Sequence, residues 1–169
     1  MKTVFSNAGI LSLLRSLQPH RRRWPDRGPS RTAALAVVTD GASRDMLLRV
    51  FQDAGRELLL ASTTASAVEL QQRRLCPVIL FDLQAEQDWQ SAVSRLASLT
   101  PHPCVILMSP RCDKNLWDEV TRNGGTDILR TPLVVEDVLR TVESHTRIWQ
   151  CQQKLRGPRS TDQSFPNGV

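Results

Sequence analysis

Short apolar runs alternate with amphipathic stretches along the chain from about residue 33 onward. Each run is bounded by turn-forming residues and is rich in Val, Ile, Leu or Ala, which is typical of a strand covered on both faces. These runs predict five strands, over Ala33–Val38, Glu57–Ser62, Pro77–Leu83, Cys104–Ser109 and Thr126–Arg130.

The stretches between the strands place apolar residues at helical spacing and predict five helices. We expect Ser43 to cap the first helix and Gly55 to end it, because a left-handed residue suits a helix terminus. The apolar face of this helix consists of Met46, Leu47, Val50, Phe51 and Ala54. The other helices are expected over Ala65–Arg74, over Trp89–Leu99, from a cap at Asp113 to Gly124-Gly125, and from Val134 to about Trp149 with Val135, Val138, Leu139 and Val142 facing inward.

Five strands that alternate with five helices predict an α/β fold with a parallel sheet between two helical layers. Right-handed crossovers leave few topologies, and the flavodoxin-like, doubly wound order 2-1-3-4-5 suits this number of units. In such folds a site forms beyond the carboxyl ends of the strands, where the strand order reverses between strands 1 and 3.

The formal net charge of +5 is unevenly distributed along the 169 residues. Residues 1–31 hold seven Lys and Arg against one acid, residues 32–150 hold twelve against fifteen, and residues 151–169 hold three against one. This division predicts a basic, Pro- and Arg-rich N-terminal arm, a mildly acidic domain over 32–150 and a polar C-terminal tail. Because the basic excess lies outside the domain, a nucleic-acid partner is not expected.

Several other classes of protein are excluded by the same sequence. No apolar stretch is long enough for a membrane helix, and the N-terminal apolar run lacks a cleavage site for secretion. The four cysteines show no C-x-x-C spacing, which excludes a zinc finger. We therefore expect a cytoplasmic protein with reduced thiols.

Polar side chains follow the predicted strands at their carboxyl ends. Asp40 follows strand 1, Asp82 ends strand 3, Ser109 ends strand 4 and Thr131 follows strand 5. Two carboxylates and a hydroxyl are thus expected at one edge of the sheet. Nearby carboxylates repel each other, and Mg²⁺ relieves that repulsion. A carboxylate in this position can also attack a phosphoryl donor, and the hydroxyl can donate a hydrogen bond to the transferred group.

With these residues the sequence resembles a response-regulator receiver (CheY-like) domain over Thr32–Trp149. Asp82, at the end of PVILFD, matches the phospho-accepting aspartate of that family, and Ser109, at the end of CVILMS, matches its switch hydroxyl. The segment GGTDILRTPL resembles the family's closing turn and strand. The resemblance implies a Mg²⁺ site formed by Asp40, Asp82 and the backbone carbonyl of Gln84.

The sequence departs from this family at several functional positions. Receivers carry two adjacent acids after strand 1, whereas this chain has Thr39-Asp40. Thr131 stands where the family has a lysine before proline, and Arg130, one residue earlier, should point to the other side of the strand. Ile128 stands at the position of the aromatic switch residue. These departures predict a weakened Mg²⁺ site and no basic partner for a phosphoryl group.

The resemblance implies a stand-alone receiver-like domain in phosphorelay (two-component) signal transduction that is not an enzyme. Asp82 would be the phospho-acceptor, and a histidine kinase or another signalling protein would be the partner. Homodimerisation through the face formed by the fourth helix, fifth strand and fifth helix is also expected.

Two alternatives remain open from the sequence. The chain could be a pseudo-receiver, an interaction or dimerisation module that works without phosphorylation. In that case Asp82 caps a turn, Asp40 caps a helix and Ser109 ends a strand. Alternatively, a flavodoxin-like protein could bind a flavin or nucleotide, with Ser62-Thr63-Thr64 as its phosphate loop.

Overall fold

The computed structural model describes residues 34–156, which form one parallel sheet with helices on both faces. The strands are β1 (Ala34–Val37), β2 (Leu58–Ala61), β3 (Val78–Asp82), β4 (Cys104–Ser109) and β5 (Asp127–Arg130). Their order is β2-β1-β3-β4-β5, which confirms the predicted flavodoxin-like order 2-1-3-4-5. The predicted arm over 1–31 and residues 157–169 of the predicted tail lie outside the described residues.

Five helices connect and follow the strands, as predicted. They are α1 (Gly41–Asp53), α2 (Thr64–Arg73), α3 (Trp89–Ala97), α4 (Lys114–Arg122) and α5 (Val135–Arg156). The first four helices begin in the same way: the side chain of the residue before the helix accepts a hydrogen bond from the backbone N–H three residues later. Such caps satisfy backbone donors that have no partner within the helix.

The cap of α1 differs from the prediction. Asp40, rather than Ser43, is the capping residue, and Ser43 lies within the helix. The backbone N–H of Ser43 donates to Asp40 Oδ2 at 2.8 Å. Both residue types cap helices, and the extended backbone of Asp40 places its carboxylate at the first turn. The predicted end of the helix is confirmed, since Gly55 has a φ of 63°.

The sheet divides the core into two layers because successive residues of each strand point to opposite faces. One layer contains the inner faces of α2, α3 and α4, and the other contains those of α1 and α5. Phe81 lies in the first layer and Leu80 in the second, and both are fully buried. The strands are therefore apolar on both faces, which is why they read as continuous apolar runs.

The last helix extends farther than predicted, and one residue of its predicted inner face is exposed. It continues from Trp149 to Arg156, because no glycine or proline interrupts the sequence before Gly157-Pro158. The prediction that Val135 faces inward is wrong: 43% of it is exposed, whereas Val138 is fully buried. No helix within residues 34–156 has both the length and the apolar character needed to cross a bilayer.

A buried glutamine fixes the loop that leads into β3. Gln71 on α2 is 3% exposed. Its Nε2 donates to the carbonyl oxygen of Cys76 at 2.9 Å, and its Oε1 accepts from the N–H of Cys76 at 3.1 Å. Both backbone groups of Cys76 are thus satisfied by one side chain just before the strand that ends in Asp82.

Candidate functional site

The sheet topology brings the four candidate residues to one edge. β1 and β3 are parallel neighbours with Val37 paired to Phe81, so both strands end at the same edge. Asp82 is the last residue of β3, and Asp40 begins the turn into α1. Ser109 ends β4 and is paired with Arg130 of β5, directly before Thr131. This edge is hereafter called the carboxyl edge.

Asp82 closes the turn that follows its strand. Its Oδ1 accepts a hydrogen bond from the N–H of Gln84 at 3.0 Å, and its carbonyl oxygen accepts one from Ala85 at 2.9 Å. The side chain is half-buried. Its second oxygen, Oδ2, has no hydrogen bond within residues 34–156. One carboxylate oxygen therefore stabilises the turn, and the other is free to meet a ligand.

The carboxylate of Asp40 caps the start of α1. The hydrogen bond from the Ser43 backbone N–H holds the pKa of the Asp40 carboxyl below its ordinary value, because that bond favours the charged form. No hydrogen bond joins Asp40 to Asp82 in the described structure. Nor does any group of three or more His, Cys, Asp and Glu side chains in residues 34–156 form a metal-binding cluster. Of the two carboxylates predicted to hold Mg²⁺, one thus already caps a helix.

Ser109 is fully buried, and its oxygen atoms accept hydrogen bonds from the backbone around it. Its Oγ accepts from the N–H of Arg111 at 3.1 Å, and its carbonyl oxygen accepts from the N–H of Thr131 at 2.9 Å. Thr131 is half-buried and precedes Pro132 through a cis peptide bond. Arg130 is exposed, and it forms no ion pair with any described residue. No basic side chain is therefore paired with the acids of the carboxyl edge in residues 34–156.

Glu86 is a residue of this edge that the sequence analysis missed. Its Oε1 accepts a hydrogen bond from the backbone N–H of Thr64 at 2.6 Å. This contact ties the loop after Asp82 to the first residue of α2, 22 positions earlier in the chain. No sequence signal could have identified it, because the two residues belong to different βα units.

The same contact bears on the predicted phosphate loop at Ser62-Thr63-Thr64. The N–H of Thr64 is taken by Glu86, and Thr63 and Ser66 satisfy each other's backbone N–H groups in a capping box. A phosphate would need these donors, and the carboxylate of Glu86 stands at the helix terminus where the anion would bind. The arrangement disfavours a flavin or nucleotide phosphate at this loop.

Comparisons with known proteins identify the fold. No protein-family model matches the sequence, and no curated protein matches it. Among solved structures, the chain is similar to the chemotaxis protein CheY4 of Vibrio cholerae, with 23% identity and a TM-score of 0.61 over 67% of this chain and 97% of that one. It is also similar to a CheY-like response regulator receiver domain protein of Methanospirillum hungatei, with 16% identity and a TM-score of 0.64 over 72% of this chain and 98% of that one.

A third similar structure belongs to a longer protein. NtrX of Brucella abortus matches with 16% identity and a TM-score of 0.65 over 73% of this chain, but over 28% of its own length. These likenesses show that the chain has the fold of CheY-like response-regulator receiver domains, as the sequence resemblance implied.

Proposed function

We propose that this chain acts in two-component signal transduction as a receiver-like domain that works through protein–protein contacts, without phosphotransfer to Asp82. The receiver fold supports the signalling role, since the similar structures are response regulators and a chemotaxis protein. Histidine kinases and other signalling proteins are the partners that this role implies, and we place it in the cytoplasm.

The proposal depends mainly on one observation: no cation is paired with the acids of the carboxyl edge within residues 34–156. A phosphoryl group carries a charge of about −1.5 to −2 at neutral pH. On Asp82 it would lie at the same edge as the charged Asp40. Thr131 offers a hydroxyl but no charge, and Arg130 is exposed on the neighbouring position. Unpaired like charges oppose such a product.

Phosphorylation of the purified full chain tests this proposal. The chain is incubated with Mg²⁺ and acetyl phosphate, or with beryllofluoride, and its intact mass and fluorescence are recorded. We expect neither to change. The double variant Thr39→Asp/Thr131→Lys restores the missing acid and base, and we expect it to gain Mg²⁺-dependent modification. Modification of the unaltered chain that disappears in Asp82→Ala would overturn the proposal.

The second candidate function is phosphotransfer to Asp82. It is favoured by the free Oδ2 of Asp82, which has no hydrogen bond within the described residues. In this version Asp40, Asp82 and the backbone carbonyl of Gln84 would hold a weakly bound Mg²⁺. Ser109 would need to exchange its bond from Arg111 for one to the phosphoryl group. The experiment above decides between the two candidates.

The face formed by α4, β5 and α5 is the surface we propose for a partner or a second copy. Trp117 is 42% exposed, and Val134 and Val135 are 50% and 43% exposed. We take these exposed large apolar side chains as the contact residues of this face. Trp117→Ser and Val134→Ser should therefore weaken binding to a signalling partner, while Asp82→Ala should leave it intact. Loss of partner binding in Asp82→Ala would contradict the phosphorylation-independent role.

A further inference from the structure

A cavity of about 430 Å³ opens at the edge of the sheet opposite the carboxyl edge. It lies where β4 and β5 begin and where α3, α4 and α5 end. Apolar atoms form most of its wall, with Ala97, Pro103 and Ile148 among the lining residues. Its volume falls within the range of about 300–1,000 Å³ that is usual for ligand pockets.

Two imidazoles line this cavity, and each is held in place by a carbonyl oxygen. His102 Nδ1 lies 3.0 Å from the carbonyl oxygen of Ala97, and His145 Nδ1 lies 2.9 Å from that of Thr141. Since a carbonyl oxygen only accepts, Nδ1 bears the hydrogen in both rings, and Nε2 remains for other contacts. His145 Nε2 is 3.6 Å from Oδ2 of Asp127, the residue after Thr126 of the cavity wall.

An exposed apolar strip extends from the cavity along α5. Ile148, which lines the cavity, is 47% exposed, and Leu155 is 86% exposed. They are seven residues apart, with the exposed Cys151 between them, and therefore lie on one side of the helix. Leu155 has the largest exposed fraction of the large apolar side chains in the described chain.

Basic side chains surround this end of the domain. Arg95 and Arg122 lie in the last turns of α3 and α4, and Lys154 and Arg156 lie in the last turn of α5. None of the four forms an ion pair with a described residue. Each side chain lies at the negative end of its own helix dipole, where a positive charge is stabilising. All four residues are exposed, so their charged groups remain in solvent. The apolar strip is thus bordered by uncompensated positive charge.

This charge decides which kind of partner fits the strip. Near the strip the helix carries Lys154 and Arg156 without an acidic partner in the described residues, whereas Arg147 is paired with Glu143. A second copy placed against the same strip would bring these cations against their counterparts, and like charges at an interface are destabilising. A partner with apolar residues between carboxylates would bury Ile148 and Leu155 and neutralise the basic border.

We propose that the cavity and the adjoining strip of α5 form a docking groove for an acidic, amphipathic helical segment of a partner protein. Apolar residues of the segment, one helical turn apart, would cover Leu155 and Ile148 and enter the cavity between the two imidazoles. Its carboxylates would face Lys154, Arg156 and Arg122. The groove is separate from Asp82 and does not depend on the proposed signalling function.

Binding of a defined peptide to the full chain tests the groove. The probe is a fluorescent peptide of about 15 residues, with Leu at helical spacing i, i+3 and i+7 and Glu at the flanking positions. A peptide with Lys in place of each Glu is the matched control. We expect the acidic peptide to bind, the basic one not to bind, and binding to weaken as salt is added because the charges are screened.

Variants on one helix locate the binding site. Leu155→Ser and Ile148→Ser should each weaken binding about tenfold, since each removes a buried apolar side chain from the complex. Lys154→Glu should weaken it and reduce the effect of salt, because an attractive charge is replaced by a repulsive one and less attraction is left to screen. Leu48→Ser, at an exposed apolar position on α1 outside the groove, should have no effect.

The outcomes that overturn the proposal are equally specific. They are failure of the acidic peptide to bind, equal binding of the acidic and basic peptides, or equal affinity of the unaltered chain and Leu155→Ser. Sedimentation of the chain alone provides the remaining test. A dimer that Leu155→Ser dissociates would show that a second copy occupies the strip, and the acidic partner would be rejected.

Discussion

Replacing Gln71 with methionine should destabilise the fold strongly, although the two side chains are similar in size and Gln71 lies far from the carboxyl edge. The side chain of Gln71 is 3% exposed and makes two hydrogen bonds to the backbone of Cys76, which is itself fully buried. Methionine fills the space but provides neither bond. The N–H and the carbonyl oxygen of Cys76 would then remain buried without partners.

The expected magnitude follows from these two groups. A buried donor or acceptor left without its partner costs about 1–3 kcal/mol. Two such groups give a loss of about 2–6 kcal/mol, which is a large share of the roughly 5–15 kcal/mol that stabilises a typical domain. The loop before β3 would loosen as well, because the contact through Gln71 joins it to α2.

Equilibrium unfolding in urea measures this loss. The midpoint should fall while the slope of free energy against urea stays constant, because the surface exposed on unfolding is unchanged. Gln72→Met is the matched control: Gln72 is the next residue of the same helix and is exposed, so its replacement should cost less than about 0.5 kcal/mol. Gln71→Glu should be more harmful at pH 7 than at pH 4, since only the protonated carboxyl can donate to the Cys76 carbonyl.

A loss below about 1 kcal/mol for Gln71→Met would refute the reasoning, because it lies at the lower limit for a single unsatisfied group. Equal losses for Gln71→Met and Gln72→Met would refute it too. In either case the hydrogen bonds to Cys76 could not be what holds the loop.

Three further predictions address other parts of the domain. Gly125→Ala should destabilise the fold by about 1–3 kcal/mol in urea unfolding, because overpacking a core is costly; the added Cβ would lie 2.5 Å from Val120 Cγ1. Cys76, whose thiol pKa burial raises to about 11, should react with iodoacetamide at pH 8 far more slowly than the exposed Cys112, as mass spectrometry of the labelled chain would show. Asp40→Ala should lower the unfolding midpoint more at pH 7 than at pH 3, because the pKa of Asp40 lies below its ordinary value in the folded chain.

The direction of the last effect follows from linkage. A carboxyl with a lowered folded pKa contributes stability above its unfolded pKa, and that contribution is lost as pH falls through the folded pKa. Asp45→Ala, on the same helix, serves as the comparison for Asp40→Ala. Gly41→Ala is the matched control for Gly125→Ala, since nothing lies within 4 Å of a Cβ added at Gly41. Equal effects within either pair would contradict the stated causes, and so would rapid labelling of Cys76.

The strand and helix pattern was predictable because burial leaves a local record in the sequence. CVILMS became β4 with the predicted bounds, and the other strands are shorter than predicted by one residue at one or both ends. Asp113 was correctly predicted as a cap, since it stands alone before its helix. Asp40 and Ser43 could each have capped α1, and only the backbone geometry decided between them.

The candidate site was predictable in its location but not in its contacts. Asp40, Asp82, Ser109 and Thr131 were assigned to one edge because parallel strands must end together. What each side chain does there was not predictable. Asp82 Oδ1 closes its own turn and Ser109 Oγ accepts from Arg111, and neither bond follows from the strand pattern.

By itself, then, the sequence determined the five βα units and the polar residues that follow their strands, because apolar periodicity is a property of contiguous chain. The tertiary structure alone decided the contact of Glu86 with Thr64, the burial of Gln71 and the apolar strip that ends at Leu155. The first joins residues 22 positions apart, and the others depend on what surrounds a helix face in space. A hydrogen bond between distant residues needs a partner that only folding brings close. Whether a helix face is exposed likewise depends on what the folded chain places against it.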